Sequence, residues 1–284
     1  MKVALITSGS VGVQLINELL AQNVEIAAVS TSCRMVVSLC LRRKIEHFSI
    51  TERFYQHVKK IEFDLLLSAI NPKITPEWVL NCSKHGAFNY HDSLLPRHRG
   101  VNATNWAIWD GDSEIGYTWH QMTTSLDGGD ILFGRSLPLN IDDDVRRANM
   151  KVFLAFCKDL SAVISRMKEF VEGVFALSPQ VEFKDSKTHR LGEVPSVFDR
   201  LLKPSWTKAE IFQKAHAGLG FLLLSTEGGI HECEPLQDSC AQILGKKHRV
   251  WKTETNESVL LRLKSPSTKG AHFSLLSKSN LLQS

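Results

Sequence analysis

The chain has 284 residues, 43% of them hydrophobic and 23% charged, with a formal net charge of +4. These proportions are those of an ordinary globular protein, and no apolar run approaches the roughly 18 residues that would span a membrane. The small basic excess falls entirely beyond residue 184, where it could attract a phosphate-bearing partner, although a plain solvated surface accounts for it more simply.

The opening MKVALITSGSVG runs straight into a strand-like segment, without the apolar block and small-residue cleavage site of a signal peptide. Val3–Ile6 reads as a short buried strand, followed by a Gly9-Ser10-Val11-Gly12 turn and an amphipathic stretch to about Leu20. The turn offers only G-x-x-G, so a tight strand-to-helix connection explains it more simply than a bound nucleotide. Val24–Val29 is a second apolar, β-branched run, and Asp64–Ile70 is a third, beyond a basic stretch at Arg42, Arg43 and Lys44. Strands alternating with helical stretches predict an α/β fold with an open, mostly parallel Rossmann-like sheet and flanking helices. Further strands are expected at Ala87–His91 and Tyr117–Met122, and a long helix from Asp142 to about Phe175, opened by three aspartates that suit a helix N-terminus. Trp106 and Trp109, three apart on a predicted helix, read as core. The six cysteines (Cys33, Cys40, Cys82, Cys157, Cys233, Cys240) form no CxxC pair, so reduced thiols, a cytoplasmic location and no metal are expected.

The chemistry concentrates in two segments. In Gly86-Ala87-Phe88-Asn89-Tyr90-His91-Asp92-Ser93-Leu94-Leu95-Pro96, a strand over 87–91 points Asn89 and His91 to one face at its carboxyl end, where open α/β sheets hold their ligands. In Thr123-Thr124-Ser125-Leu126-Asp127-Gly128-Gly129-Asp130, two glycines let the backbone bend beside Asp127. A carboxamide, an imidazole and a carboxylate are what acyl transfer to an amine requires: donors for the oxyanion, and a carboxylate to orient the imidazole and help move protons. Taken singly each has an ordinary reading, Asn89 and Asp127 as turn residues and His91 as a core or surface histidine. Arg97-His98-Arg99 is either a phosphate- or glutamate-binding cluster or a solvated loop.

Residues 1 to about 180 resemble the folate-dependent formyltransferase family, which includes glycinamide ribonucleotide and methionyl-tRNA formyltransferases. The resemblance rests on N-x-H-x-S-L-L-P at Asn89–Pro96 and L-D-G-G-D at Leu126–Asp130, with His91 and Asp127 separated as in the family. Asn102-Ala103-Thr104-Asn105-Trp106-Ala107 and Thr118-Trp119-His120-Gln121-Met122 are similar to the branch attached to nonribosomal peptide synthetases, whereas Arg99-Gly100 follows the tRNA-formylating branch. The resemblance implies Asn89, His91 and Asp127 as the catalytic set and His120 as a supporting histidine behind it. It implies contacts to the folate from Asn71, Ile74, Ser93, Leu94, Thr124, Ser125 and Leu126. The implied reaction moves a formyl group from 10-formyltetrahydrofolate, through a tetrahedral intermediate and without a metal, to a primary amine of a small-molecule, aminoacyl or carrier-bound acceptor. A methionyl-tRNA acceptor, hydrolysis of the same donor, and a silent folate-binding module are the alternatives.

Three prolines (Pro179, Pro195, Pro204) among many polar residues mark 178–204 as a linker, which separates a catalytic domain, 1–177, from a small β-rich subdomain, 205–284. There, Thr207 with Glu210 three residues on predicts a helix start, and Arg249–Thr253, Val259–Leu263 and His272–Leu276 are candidate strands. Pro204–Ile211, Ala217–Phe221 and His248–Lys252 resemble the family's C-terminal domain in shortened form, less than a full oligonucleotide-binding barrel.

Overall fold

The computed structural model describes residues 1–49, 51–181, 186–195, 197–219, 222–226, 229–236 and 248–263. The chain divides into two compact units, Met1–Glu193 and Val194–Ser284. The first is built in the order β1 (Lys2–Thr7), α1 (Gly9–Ala21), β2 (Glu25–Ser30), α2 (Arg34–Arg43), β3 (His47–Phe48), α3 (Thr51–Val58), β4 (Leu65–Ala69), α4 (Glu77–Leu80) and β5 (Ala87–His91). It continues with β6 (Arg99–Gly100), α5 (Ala103–Asp110), β7 (Glu114–Gln121), β8 (Ile131–Pro138), α6 (Val145–Val171) and β9 (Thr188–His189).

Seven strands form one sheet in the order β3-β2-β1-β4-β5-β7-β8. The first five are parallel, and β7 and β8 are antiparallel additions on the β5 side. Strand order reverses between β1 and β4, the switch point beside which such sheets bind their ligands. The central strands are apolar throughout because helices cover both faces: Val3, Ala4, Leu5, Leu65, Leu66 and Leu67 are wholly buried. Alternation then sorts the side chains. Ala4, Ile6, Leu66 and Ala87 pack with Phe54, Tyr55 and Val58 of α3 and Val79 of α4. From the other face of β5, Phe88 meets Phe170 and Tyr90 meets Phe156, both on α6, at ring separations of 5.2 and 4.9 Å. Asn89 and His91 are thereby turned away from α6.

Helix α6 begins where the aspartates predicted. The Asp144 side chain accepts the Arg147 backbone N–H at 2.9 Å, and the buried residues Ala148, Val152, Phe156, Leu160, Ile164 and Met167 recur at helical spacing. Its buried Asp159 takes two bonds from Arg135 (2.7 and 2.6 Å) and one from Tyr117 (2.8 Å), joining α6 to β8 and β7. Strand β8 escaped the sequence reading because it is an edge: its polar Gly134-Arg135-Ser136 centre is exposed, which erases the alternation. The basic run Arg42-Arg43-Lys44 ends α2, with Lys44 as its left-handed cap, so cations sit at the negative end of the helix dipole. Trp106 and Trp109 are buried on α5.

Residues 178–193, expected as linker, belong to the first unit. β9 pairs with β6, and Ser178 bridges Ile131. The second unit contains α7 (Val197–Arg200), α8 (Lys208–His216), β10 (Leu222–Thr226), β11 (Gly229–Leu236), β12 (His248–Lys252) and β13 (Ser258–Leu263), with an antiparallel sheet ordered β10-β11-β13-β12. The Thr207–Glu210 capping box is complete: Glu210 N–H donates to Thr207 at 3.2 Å and Thr207 N–H to Glu210 at 2.7 Å. The expected strand at 272–276 lies outside the described residues. No described helix is long and apolar enough to cross a membrane, and the five described cysteines are free.

Candidate active site

A cavity of about 650 Å³ opens at the carboxyl ends of β4 and β5. Asn89, His91, His120 and Asp127 all line it, as do Asn71, Ile74, Thr124, Ser125 and Leu126. Strand pairing explains the first three. Asn89 and His91 share a face of β5, and His120 on β7 is the register partner of Asn89. Asp127 arrives from the β7–β8 loop, where its own backbone is left-handed (φ 47°). A Cβ on Gly129 would run into the Gln121 carbonyl oxygen, so glycine is required for the loop to fold back on β7. The Gln180 amide closes the same loop by donating to the carbonyls of Asp127 (2.8 Å) and Gly129 (2.7 Å).

Hydrogen-bond partners constrain which atoms can act. His91 Nε2 lies 2.9 Å from the His98 carbonyl, which only accepts, so this nitrogen carries a proton. His91 Nδ1 faces Asp127 Oδ2 at 3.7 Å, too far for a direct bond, and is the nitrogen left for a bound group. His120 Nδ1 likewise donates to a backbone carbonyl, that of Gln121, at 2.9 Å. In the neutral ring His120 Nε2 is then an acceptor, 3.3 Å from the Asn89 amide nitrogen, which orients Asn89 and leaves its second N–H for a ligand. In the charged ring the same nitrogen donates instead to Asp127 Oδ1, at 3.3 Å.

Burial alone would raise the Asp127 pKa. The bond to His120, the His91 charge and the Gly100 N–H (2.8 Å to Oδ2) together outweigh it and hold the carboxyl at about 2. Asp127 is therefore an anion across the physiological range, a fixed negative charge between two imidazoles. Among the described residues no cluster of His, Cys, Asp and Glu is arranged to hold a metal.

Two of the residues expected to contact the folate stand away from the cavity lining. Ser93 and Leu94 do not line the cavity. Ser93 is buried, its hydroxyl donates to the Arg97 carbonyl at 2.7 Å, and Leu94 packs against Gly116, so both close the turn after β5. The Arg97-His98-Arg99 cluster splits: Arg97 is exposed, 3.9 Å from Asp112, Arg99 donates to Gln180 at 2.9 Å, and His98 is buried. Asn102 and His189–Leu191 line the cavity without having been foreseen. The 186–193 segment carries no local signal, because long-range pairing alone brings it to residues 98–101. A second cavity of about 490 Å³, lined by hydroxyl side chains including Thr7, Ser30 and Thr51, flanks the Ile70–Lys73 loop on its other side. Ile70, in that loop, has φ 61°, an outlying conformation for a β-branched residue and one that clusters at functional sites.

Comparison with known proteins gives consistent matches. Residues 1–155 match the family model described as formyl transferase. The methionyl-tRNA formyltransferase of Caldanaerobacter subterraneus subsp. tengcongensis is 36% identical over 116 residues, 41% of this chain and 38% of that protein. The GDP-perosamine N-formyltransferase of Brucella melitensis biotype 1 is 26% identical over 161 residues, 57% of this chain and 59% of that protein. The chain thus spans less than two thirds of the length of these curated relatives. The crystal structure of WlaRD, a sugar 3N-formyl transferase with dTDP and 5-N-formyl-THF, superposes with a TM-score of 0.64 at 14% identity, covering 94% of this chain and 99% of that one.

Proposed function

This chain belongs to the formyl transferase family, and from that premise we propose that it transfers a formyl group from 10-formyltetrahydrofolate to a primary amine. The observation that carries the reading is the convergence of Asn89, His91 and Asp127, from two separated segments, on one cavity. Its volume is in the range of small-molecule and cofactor sites. Ile70, Ile74 and Leu126 line it yet stand substantially exposed, apolar surface that a flat pterin or benzoyl ring would cover. The backbone polar groups of 71–75 and 123–126 run beside them.

The folate supplies an activated formyl carbon. The residues of this chain then divide the work. The free Asn89 N–H and the His91 Nδ1–H of the charged ring hold the oxygen on which charge develops as the amine attacks. The Asp127 carboxylate stands beside that ring as a fixed negative charge, and as the bond from the formyl carbon to the folate nitrogen breaks, the proton lost by the amine passes to that nitrogen through water held beside Asp127. The acceptor is the primary amine of a small-molecule, aminoacyl or carrier-bound group. Mixing the protein with 10-formyltetrahydrofolate and following release of tetrahydrofolate tests the reading. Release is expected only when an amine is added, from a panel of amino-sugar nucleotides, aminoacyl thioesters and methionyl-tRNA. Release without any amine would make the protein a hydrolase, and saturable binding without release a folate-binding module.

A further inference from the structure

His98 lies outside the catalytic set, yet its neighbourhood touches both of that set's ionisable members. Its carbonyl accepts from His91 Nε2, and two residues on, the Gly100 N–H donates to Asp127. Both contacts depend on an unusual backbone: His98 is left-handed (φ 51°), and Gly100 also has positive φ (91°). A β-carbon residue keeps a left-handed conformation only where its surroundings over-determine it. Here the ring of His98 does so. Its Nε2 donates to Asp112 at 3.0 Å, and its Nδ1 lies 3.4 Å from His189 Nε2. His189 is stacked in turn on Trp106, 4.2 Å between centroids and 7° from parallel, with its other nitrogen 3.4 Å from Glu193. His98 and His189 are both buried. Beside this side-chain row, Arg99 N–H donates to the Lys187 carbonyl and Val101 N–H to that of His189.

We propose that His98, clamped between Asp112 and His189, is a positioning residue for the transfer reaction. Its locked ring fixes the left-handed turn that aims one carbonyl at His91 and one N–H at Asp127. With both rings neutral, the Asp112–His98–His189 row is a chain of hydrogen bonds with a defined polarity, and the remaining His189 nitrogen lies beside Glu193 without a proton to give it. With Nε2–H of His98 given to Asp112, His98 Nδ1 accepts and His189 Nε2 donates. The row therefore anchors the segment 186–193, which also lines the cavity, to the turn that holds the catalytic pair.

The proposal rests on the formyl-transfer reading, and its test separates the two. His98→Ala and His189→Phe, the second keeping the stack on Trp106 but unable to donate to His98, are compared with His98→Asn. Asparagine tolerates the left-handed backbone and keeps a polar side-chain atom where His98 Nδ1 meets His189. In a 15N-labelled sample, His98→Ala and His189→Phe are expected to move the Gly100 amide proton upfield and speed its exchange at least tenfold. The protected His91 Nε2–H signal should weaken with it, and His98→Asn should restore both. In the amine-dependent assay, kcat is expected to fall roughly ten- to a hundredfold with KM for the folate little changed. Unchanged Gly100 and His91 signals in both disruptive variants, with kcat intact, would overturn the proposal. Because the resonances are read without an acceptor, their loss supports the positioning role even in a protein that proves unable to turn over 10-formyltetrahydrofolate, an outcome that sinks only the proposed reaction.

Discussion

Asp127→Asn is expected to slow formyl transfer roughly a thousand- to ten-thousandfold, the scale seen when a carboxylate that orients a catalytic imidazole loses its charge. The neutral amide cannot serve all its neighbours. If its oxygen meets the Gly100 N–H, its NH2 is turned toward His120; turned the other way, it leaves the Gly100 donor unmatched. The charge also carries stability. The folded pKa, about 2, lies below the ordinary aspartate value of roughly 3.9, so ionised Asp127 stabilises the fold fully above about pH 4 and loses that contribution as pH falls from there toward 2. The shift corresponds to roughly 2 kcal/mol. Urea denaturation should therefore show the variant less stable than the parent at pH 7, with the gap narrowing below pH 4. An equal gap at every pH would show that the charge is not what the site depends on.

Asn89→Ala is the second large effect. Removing one preorganised donor from an oxyanion site costs roughly a hundred- to a thousandfold in rate, and among the described residues the Asn89 side chain is bound only to His120, at 3.3 Å. The loss should appear in kcat more than in the folate KM, because the bond strengthens as charge develops on the formyl oxygen. Thermal melting should be little altered, since the bond to His120 is a single neutral contact. A variant with near-full turnover would assign the oxygen to another donor.

The geometry of the candidate site was legible because it obeys short-range rules. Two-residue alternation along β5 puts Asn89 and His91 on one face, and a G-G turn swings Asp127 back beside them. Buried central strands were legible for the same reason, as unbroken apolar runs. What escaped depends on distant pairing. β8 is an exposed edge without a pattern of its own, and the polar, proline-bearing 178–193 reads as linker although Gln180 and β9 tie it to the site. Ser93 and Leu94 stand outside the cavity lining, because a motif's wording does not say which of its residues face the cavity. His98 looked like one of three surface cations, and only its burial between Asp112 and His189 separates it from Arg97 and Arg99.

A crystal structure with 5-formyltetrahydrofolate, a stable formyl-bearing analogue, tests the core of this account most directly. The pterin is expected against residues 71–75 and 124–126, with the ligand's formyl-bearing end within reach of Asn89 Nδ2 and His91 Nδ1. A pterin seated outside the 650 Å³ cavity, or a formyl group remote from both nitrogens, would contradict it.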